Sequence, residues 1–299
     1  MQNRILIIVV FILSLILVTM SSNRNTTFFN SEPNILVKDT NTDNIDSINL
    51  EEYIIGVVAA EMPASFNEEA LKAQAVASRT YAAYKMNQSR GEFDIVTDVS
   101  NQSYITVDEM RKKWDNEFEK YYQKISAAVN ATKGKIMYYE DEIVEAYYFA
   151  MSNGYTEKSS LVFSEDRDYL QSVESKYDNN NLNNFEVTTT FSKTEICQKL
   201  NIVCENLTFS NIVRSDTNRV NSITVNGVVF KGTVFRSKLS LRSTDFTIEE
   251  VNDQIIITTK GYGHGVGMSQ YGANGMAKEG YNYEEILRYF YKNIKISSI

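Results

Sequence analysis

Between residues 66 and 84 the side chains Phe66, Ala70, Ala73, Ala77, Thr80 and Tyr84 recur at helical spacing, with mostly small residues between them. A helix that is small and apolar on most of its faces is one that neighbours crowd from several sides, so this segment predicts a central helix. Gln74 and Arg79 interrupt that surface. Ser65 and Glu68 supply an S-x-x-E capping box just before it. A second helix precedes it across a short break. Asn49 offers an N-cap for LEEYIIGVVAAEM, Glu51 and Glu52 suit its first turn, and Pro63 ends it.

The remaining pattern predicts an α+β fold, with helices near the N-terminal half and β-hairpins in the C-terminal half. Residues 35–38 and 45–50 flank a turn-rich DTNTDN and read as a small hairpin. Residues 104–133 read as helical around Trp114 and Tyr121, with Gly134 ending them. KIMYYEDEIVEAYYFA (135–150) reads as two strands with an acidic turn. The polar, Asn-rich stretch 161–185 reads as exposed, and FEVTTTFSKTEICQKL as a strand and then a helix. SITVNGVVFKG forms a hairpin around Asn226-Gly227, and DFTIEEVNDQIIITTK forms another.

At the N-terminus, Arg4 precedes an uncharged apolar run at residues 5–20 (ILIIVVFILSLILVTM). Its length lies between a signal-peptide core and a full membrane span, and no A-x-A site follows. A cleaved signal peptide is one reading. A retained anchor over residues 1–22 is the one preferred, with a polar linker at 23–34 and one folded domain at 35–299. This predicts a single-pass protein of the cell membrane whose domain lies outside the cytoplasm. The net charge of −8 disfavours a protein that tracks nucleic-acid phosphates.

Cys197 and Cys204 are the only cysteines. If the segment around them is helical they lie two turns apart, too far for a disulfide, so two separate buried thiols is the reading preferred over a bridge. With one histidine in the chain and a C-x6-C spacing, a zinc site is disfavoured further.

Two segments carry candidate chemistry. Seven of the thirteen glycines fall in GYGHGVGMSQYGANGMAKEG (261–280), around the single histidine, His264. The cluster fits neither a dinucleotide fingerprint nor a P-loop, and it suits either a ligand-facing loop or a tight structural crossing. His264 and Ser269 suggest a hydrolase pair, but there is no G-x-S-x-G elbow and no acid partner to assign. The second candidate is Glu61, which extends the apolar line of Tyr53 and Val57 into the last helical turn. Unpaired carbonyls there disfavour negative charge, and desolvation adds to the effect, so an inward Glu61 has a raised pKa. A carboxyl kept protonated is what a general acid requires. Turned outward to water, Glu61 is an ordinary surface residue.

LEEYIIGVVAAEMPASFNEEALKAQAVASRTYAAYK, SNGYTEKSSLVF, LRSTDFTI and GYGHGVGMSQYGANGMAKEGYNYEEILRYFY, in this order, resemble the stage II sporulation protein D family. Its members are membrane-anchored lytic transglycosylases of endospore-forming bacteria that act during engulfment. The resemblance implies that Glu61, in the A-A-E-M-P motif, is the catalytic acid and base, and that Arg79, in A-x-R-T-Y, contributes to activity. An Arg79 directly beside Glu61 would lower the carboxyl pKa, so Arg79 is expected across the groove, positioning substrate. The expected substrate-binding residues are His264, Ser269, Gln270 and Tyr271, with Ser152, Asn153, Gly154, Tyr155 and Thr156 opposite. No cofactor is expected. One departure stands out: many relatives read H/F-x-S-T-S-G-G-x-T where this chain has FAMSNGYT, and its residues 148–152 offer no His or Cys, so no metal is expected. The implied partners are peptidoglycan glycan strands, a peptidoglycan amidase and a membrane component of the engulfment machinery. The alternatives are a glycan-binding enhancer of a wall amidase and a septal scaffold, neither of which cleaves.

Overall fold

The side chain of Asn49 accepts hydrogen bonds from the backbone N–H groups of Glu51 and Glu52, so the cap read from the sequence starts the first described helix. The computed structural model describes residues 33–299 apart from 99, 164 and 179–183. Strands β1 (Asn34–Lys38) and β2 (Ile45–Asn49) form the expected antiparallel hairpin, and α1 (Leu50–Glu61) follows directly. Met62 leaves helical geometry just before Pro63.

Helix α2 (Glu68–Gln88) is central. From Ala73 to Ala83 every side chain is buried, which only small residues on several faces allow. Its cap is Asn67, accepting from the Glu69 N–H, not Ser65 as expected. A turn closed by Phe66 N–H on the Pro63 carbonyl occupies those residues and delays the helix start. The short β3 (Ile95–Val96) pairs parallel with β1. The helical stretch that follows is broken into α3 (Val107–Trp114) and α4 (Phe118–Ala131) by a 3-10 turn in which Asp115 has φ 44°. Strands β4 (Lys135–Tyr139) and β5 (Glu142–Ile143) form the expected hairpin, with Glu140 and Asp141 at positive φ in its turn.

A second, smaller core begins at β7 (Glu186–Ser192), after β6 (Tyr148–Phe149) and the one-turn α5 (Ser159–Val162). Next come α6 (Lys193–Leu200), β8 (Phe209–Arg214), β9 (Val220–Val225), β10 (Val228–Lys231), α7 (Gly232–Lys238), β11 (Phe246–Val251) and β12 (Gln254–Lys260). They make two antiparallel sheets, ordered β10-β9-β8 and β11-β12-β7. Their shared core includes Ile196, Ile223, Phe235, Phe246 and Ile257, with the Phe235 and Phe246 rings stacked at 5.1 Å. Each such side chain stabilises the fold by roughly 1.5–3 kcal/mol relative to exposure.

The chain then returns to the larger core. Strand β13 (Met268–Ser269) pairs parallel with β6, α8 (Gln270–Lys278) and α9 (Tyr283–Phe290) pack on α2, and β14 (Lys295–Ser298) joins β4. Mixed α+β architecture with hairpins in the C-terminal half is therefore observed, and helices α7, α8 and α9 join the expected α6 in that half.

Three expectations are corrected. Cys197 and Cys204 form a disulfide, with Cα atoms 5.6 Å apart. The helix stops at Leu200, Asn201 takes a left-handed conformation, and the chain doubles back past its own last turn. The stretch 161–185 is not simply exposed, because Leu170, Val173, Ser175 and Asp178 are buried in it. The single-pass membrane location is also overturned: among the described residues no helix is long and apolar enough to cross a membrane. The longest, α2, carries Glu68, Glu69, Lys72, Arg79 and Lys85 within its 21 residues. The expected anchor, residues 1–22, lies outside the described residues.

Candidate active site

Glu61 closes the last turn of α1, which holds no basic side chain. It is half-buried, and its Oε1 accepts a hydrogen bond from the Ser103 N–H at 2.8 Å. Burial raises its pKa, while hydrogen bonds from Ser103 and the charge of Lys113 oppose the rise. Lys113 itself is drawn to the helix end, where its ammonium donates to the Ala59 carbonyl at 2.8 Å. Beneath Glu61 runs a buried polar chain. The Tyr53 hydroxyl donates to Gln102 Oε1 (3.3 Å), and Gln102 Nε2 donates to the Tyr148 hydroxyl (3.0 Å) and the Ser78 carbonyl (3.2 Å). Burial, then the charge of Glu61, holds Tyr148 well above the ordinary phenol range.

Glu61 opens onto a cleft of about 540 Å³, a size suited to a small saccharide segment. One wall is Ser100, Asn101, Gln102 and Ser103, from the segment between β3 and α3. Tyr81, Tyr147, Phe149, Phe163 and Tyr262 supply aromatic surface, and Arg236 of α7 supplies a cation from the smaller core. Tyr147 and Phe163 stack at 4.4 Å. Glu61 is the only carboxylate lining this cleft among the described residues.

Of the residues expected to bind substrate, His264 and Gln270 reach the cleft. His264 is engaged at both nitrogens. Its Nδ1 accepts from the Val266 N–H (3.1 Å), which leaves the proton on Nε2 to be donated to the Tyr148 carbonyl (3.0 Å). Burial, and next the charge of Arg236, pulls its pKa down to about 4, so the ring is neutral near pH 7. It pins the glycine loop to β6 and is not free to serve as a base. Two glycines of that loop admit what a side chain would exclude. A Cβ at Gly267 would lie 1.9 Å from the Tyr147 carbonyl oxygen, and one at Gly265 would lie 2.7 Å from Arg219 Nε.

The other expected residues are brought together elsewhere. Ser152 and Ser269 are fully buried, and their hydroxyls donate to Asp178 at 2.8 and 2.7 Å. Thr156 is also buried, bonded to the Gln171 carbonyl and the Val173 N–H. Asn153 donates to Asp245 and the Thr217 carbonyl, joining the two cores. Gly154, at φ 112°, allows the turn to Tyr155, which is exposed, and Tyr271 packs its ring on Phe66. Ser152, Asn153 and Thr156 read as ligand contacts because side chains of this kind also satisfy buried carboxylates and backbone.

Arg79 is likewise away from the cleft. It is fully buried, with Nε 2.9 Å from Glu51 Oε1 and a terminal nitrogen 2.6 Å from Oε2. It also donates to the carbonyls of Val129 and Lys135. Arg79 therefore ties the start of α1 to α2, to the last turns of α4 and to β4, and makes no ion pair with Glu61. What sequence reading missed is the aromatic wall and the Ser100–Ser103 side of the cleft. The run YYF at 147–149 was the available signal, since successive strand residues face opposite ways and at least one ring must face out of the core. Among the described residues no group of three or more His, Cys, Asp or Glu side chains is arranged to hold a metal ion.

Comparison with known proteins gives this arrangement its setting. Residues 38–139 match the profile of the SpoIID family, described as stage II sporulation protein. The chain is 40% identical over 274 residues to stage II sporulation protein D of Bacillus subtilis (strain 168), covering 89% of this chain and 80% of that one. Against stage II sporulation protein D of Bacillus amyloliquefaciens the identity is 40% over 265 residues, covering 86% and 77%. A more distant relative is the amidase enhancer of Bacillus subtilis (strain 168), 26% identical over 298 residues, of which the match covers 40% of its length. These matches define a sporulation protein. The chain belongs to the stage II sporulation protein D family.

Proposed function

We propose that this protein is a lytic transglycosylase that cleaves peptidoglycan glycan strands between N-acetylmuramic acid and N-acetylglucosamine. The observation that carries the reading is a single carboxylate, desolvated and facing an aromatic cleft. Hydrolysis of a glycosidic bond ordinarily uses two carboxylates, whereas a transglycosylase that recruits the substrate's own hydroxyl needs one. Protonated Glu61 gives its proton to the glycosidic oxygen as the bond to C1 breaks. The resulting carboxylate is held by the Ser103 N–H and by the nearby charge of Lys113. It then takes the proton of the muramic C6 hydroxyl as that oxygen bonds to C1. The product is a 1,6-anhydro end, and Glu61 is protonated again. Acid–base work of this kind contributes about 10²–10⁴-fold to a rate. Tyr147, Phe163 and Tyr262 offer ring faces for the sugars, and Arg79 acts at a distance by fixing the helix that carries Glu61.

A second reading follows from the likeness to the amidase enhancer: the cleft binds glycan and the protein assists a cell-wall amidase without cleaving. Glycan strands stripped of peptides, digested by wild type and by Glu61→Gln and examined by mass spectrometry, separate the two. Anhydro ends from wild type alone support cleavage; none from either protein supports the enhancer.

A further inference from the structure

Phe163 lines the Glu61 cleft and also a second cavity of about 320 Å³ beside it. Helix α7 borders both spaces, through Arg236 in the first and Thr233 in the second, about one turn apart. The two spaces therefore adjoin at Phe163, which packs on the larger core, and both border α7 of the smaller core.

The second space has different chemistry. Two cations line it, Arg219 and Lys231, among the hydroxyls of Ser160, Thr233 and Thr244. Arg219 is 3% exposed, and its guanidinium donates only to neutral oxygens, Thr217 Oγ1 at 3.1 Å and the Tyr155 carbonyl at 2.9 Å. Its Nε has no partner. Burial of a cation with no ion pair is costly, and burial lowers the Arg219 pKa against the fields of Glu157, Asp245 and Asp178. Glu157 lines the same cavity, but its oxygens already accept from the hydroxyls of Ser215 and Thr217 and from the Lys158 N–H. Lys231 is exposed and makes no ion pair among the described residues. The lining therefore holds two cations and one carboxylate that already accepts three hydrogen bonds, while Asp245 and Asp178 act on Arg219 from outside it. The guanidinium sits where it does because Gly265, one residue after His264, leaves room for it. The loop that shapes the Glu61 cleft thus shapes this cavity too.

We propose that this second cavity is a carboxylate-binding subsite of the groove, holding an anionic group of the glycan strand further along from the bond that Glu61 cleaves. The inference rests on the glycan-cleaving reading of the Glu61 cleft. Arg219 supplies the buried positive charge, Lys231 draws the anion in from solvent, and the Thr233 and Thr244 hydroxyls donate to its oxygens. A carboxylate on such a strand has two sources, the lactyl group on the sugar itself or a peptide stem attached to it.

The test measures binding to the full-length Glu61→Gln protein, which leaves strands uncut. Three probes of equal length are compared: peptide-free glycan with lactyl carboxylates, the same glycan with those carboxylates amidated, and glycan bearing peptide stems. Amidation should weaken binding about tenfold, as loss of charge-assisted hydrogen bonds does. Adding Lys231→Glu should weaken binding of the free-carboxylate strand about fivefold and leave the amidated strand unaffected. Peptide-bearing strands binding like the amidated ones confine the site to the lactyl group; binding like the free-carboxylate ones shows that it takes a stem carboxylate as well. Arg219→Gln, checked by thermal unfolding, should act as Lys231→Glu does, and if it does not fold, Lys231→Glu alone decides. Amidated and free strands bound alike, or no strand bound, would overturn the subsite. The cleavage reading fails separately, if wild type releases no anhydro ends while carboxylate-dependent binding persists.

Discussion

Glu61 and Asp178 are both carboxylates drawn out of water, and burial raises the pKa of each. Asp178 is surrounded by donors: the Ser152 N–H and the hydroxyls of Ser152, Ser175 and Ser269, all within 3.0 Å. Glu61 accepts from Ser103 and otherwise faces the cleft. Desolvation alone therefore does not mark a catalytic acid. A carboxyl whose lone pairs are filled by fixed hydroxyls is a structural pin, while one with an open face has a proton to give. On the proposed reading the pin supports the acid indirectly, because Asp178 holds the start of α8 and the 152–154 turn.

The largest effect that tests this contrast is on rate. Glu61→Gln should lower release of anhydro ends by at least about 10²-fold while leaving thermal unfolding nearly unchanged. Asp178→Ala should do the reverse. It strands three hydroxyls and an N–H, so denaturant unfolding should show a loss of about 3 kcal/mol, with cleavage per folded molecule largely kept. If Asp178→Ala abolished cleavage in a fully folded protein, the contrast would fail.

Glu51→Gln comes next. It leaves Arg79 buried without its counter-charge, and a stability loss of about 3 kcal/mol is expected in the same unfolding measurement. A much larger rate loss than stability loss would instead place Arg79 in the chemistry.

The smallest effect is a pH dependence. The folded pKa of Glu61 lies above its ordinary value of 4.5. Below 4.5 both folded and unfolded states hold the proton, and the contribution to stability is fully present. As pH rises through the raised folded value, the unfolded state sheds its proton more readily and that stability is lost. Glu61→Gln has no such proton, so its unfolding temperature should gain on wild type as pH rises toward neutrality. Wild-type cleavage should decline over the same window as the acid form is depleted. A constant gap between the two proteins would mean that Glu61 is not desolvated.

Most local signals in the sequence held because their causes are local. The Ser65 cap did not, because a turn over residues 63–66 moves the cap two residues on, to Asn67. The Asn49 cap, the Asn226-Gly227 turn and the crowding of Ala73, Ala77 and their neighbours each depend on a few adjacent residues. Glu61 was legible for the same reason, since a last-turn position on an apolar line already predicts a raised pKa. Arg79 was not, because its partner Glu51 lies on another helix, 28 positions away. Nor was the role of Ser152 and Ser269, whose hydroxyls suit a ligand and a buried carboxylate equally, or of Thr156, whose hydroxyl bonds buried backbone. Asp178 was hidden in a polar, Asn-rich stretch whose composition suggests exposure. The disulfide escaped because it depends on where α6 stops, and Asn201 decides that by one left-handed residue.

The most direct measurement is a carbon-13 NMR titration of the Glu61 carboxyl, assigned by its disappearance in Glu61→Gln. The account predicts a pKa above 4.5, moving higher still when glycan fills the cleft and excludes water. A Glu61 that titrates at or below 4.5 would contradict it.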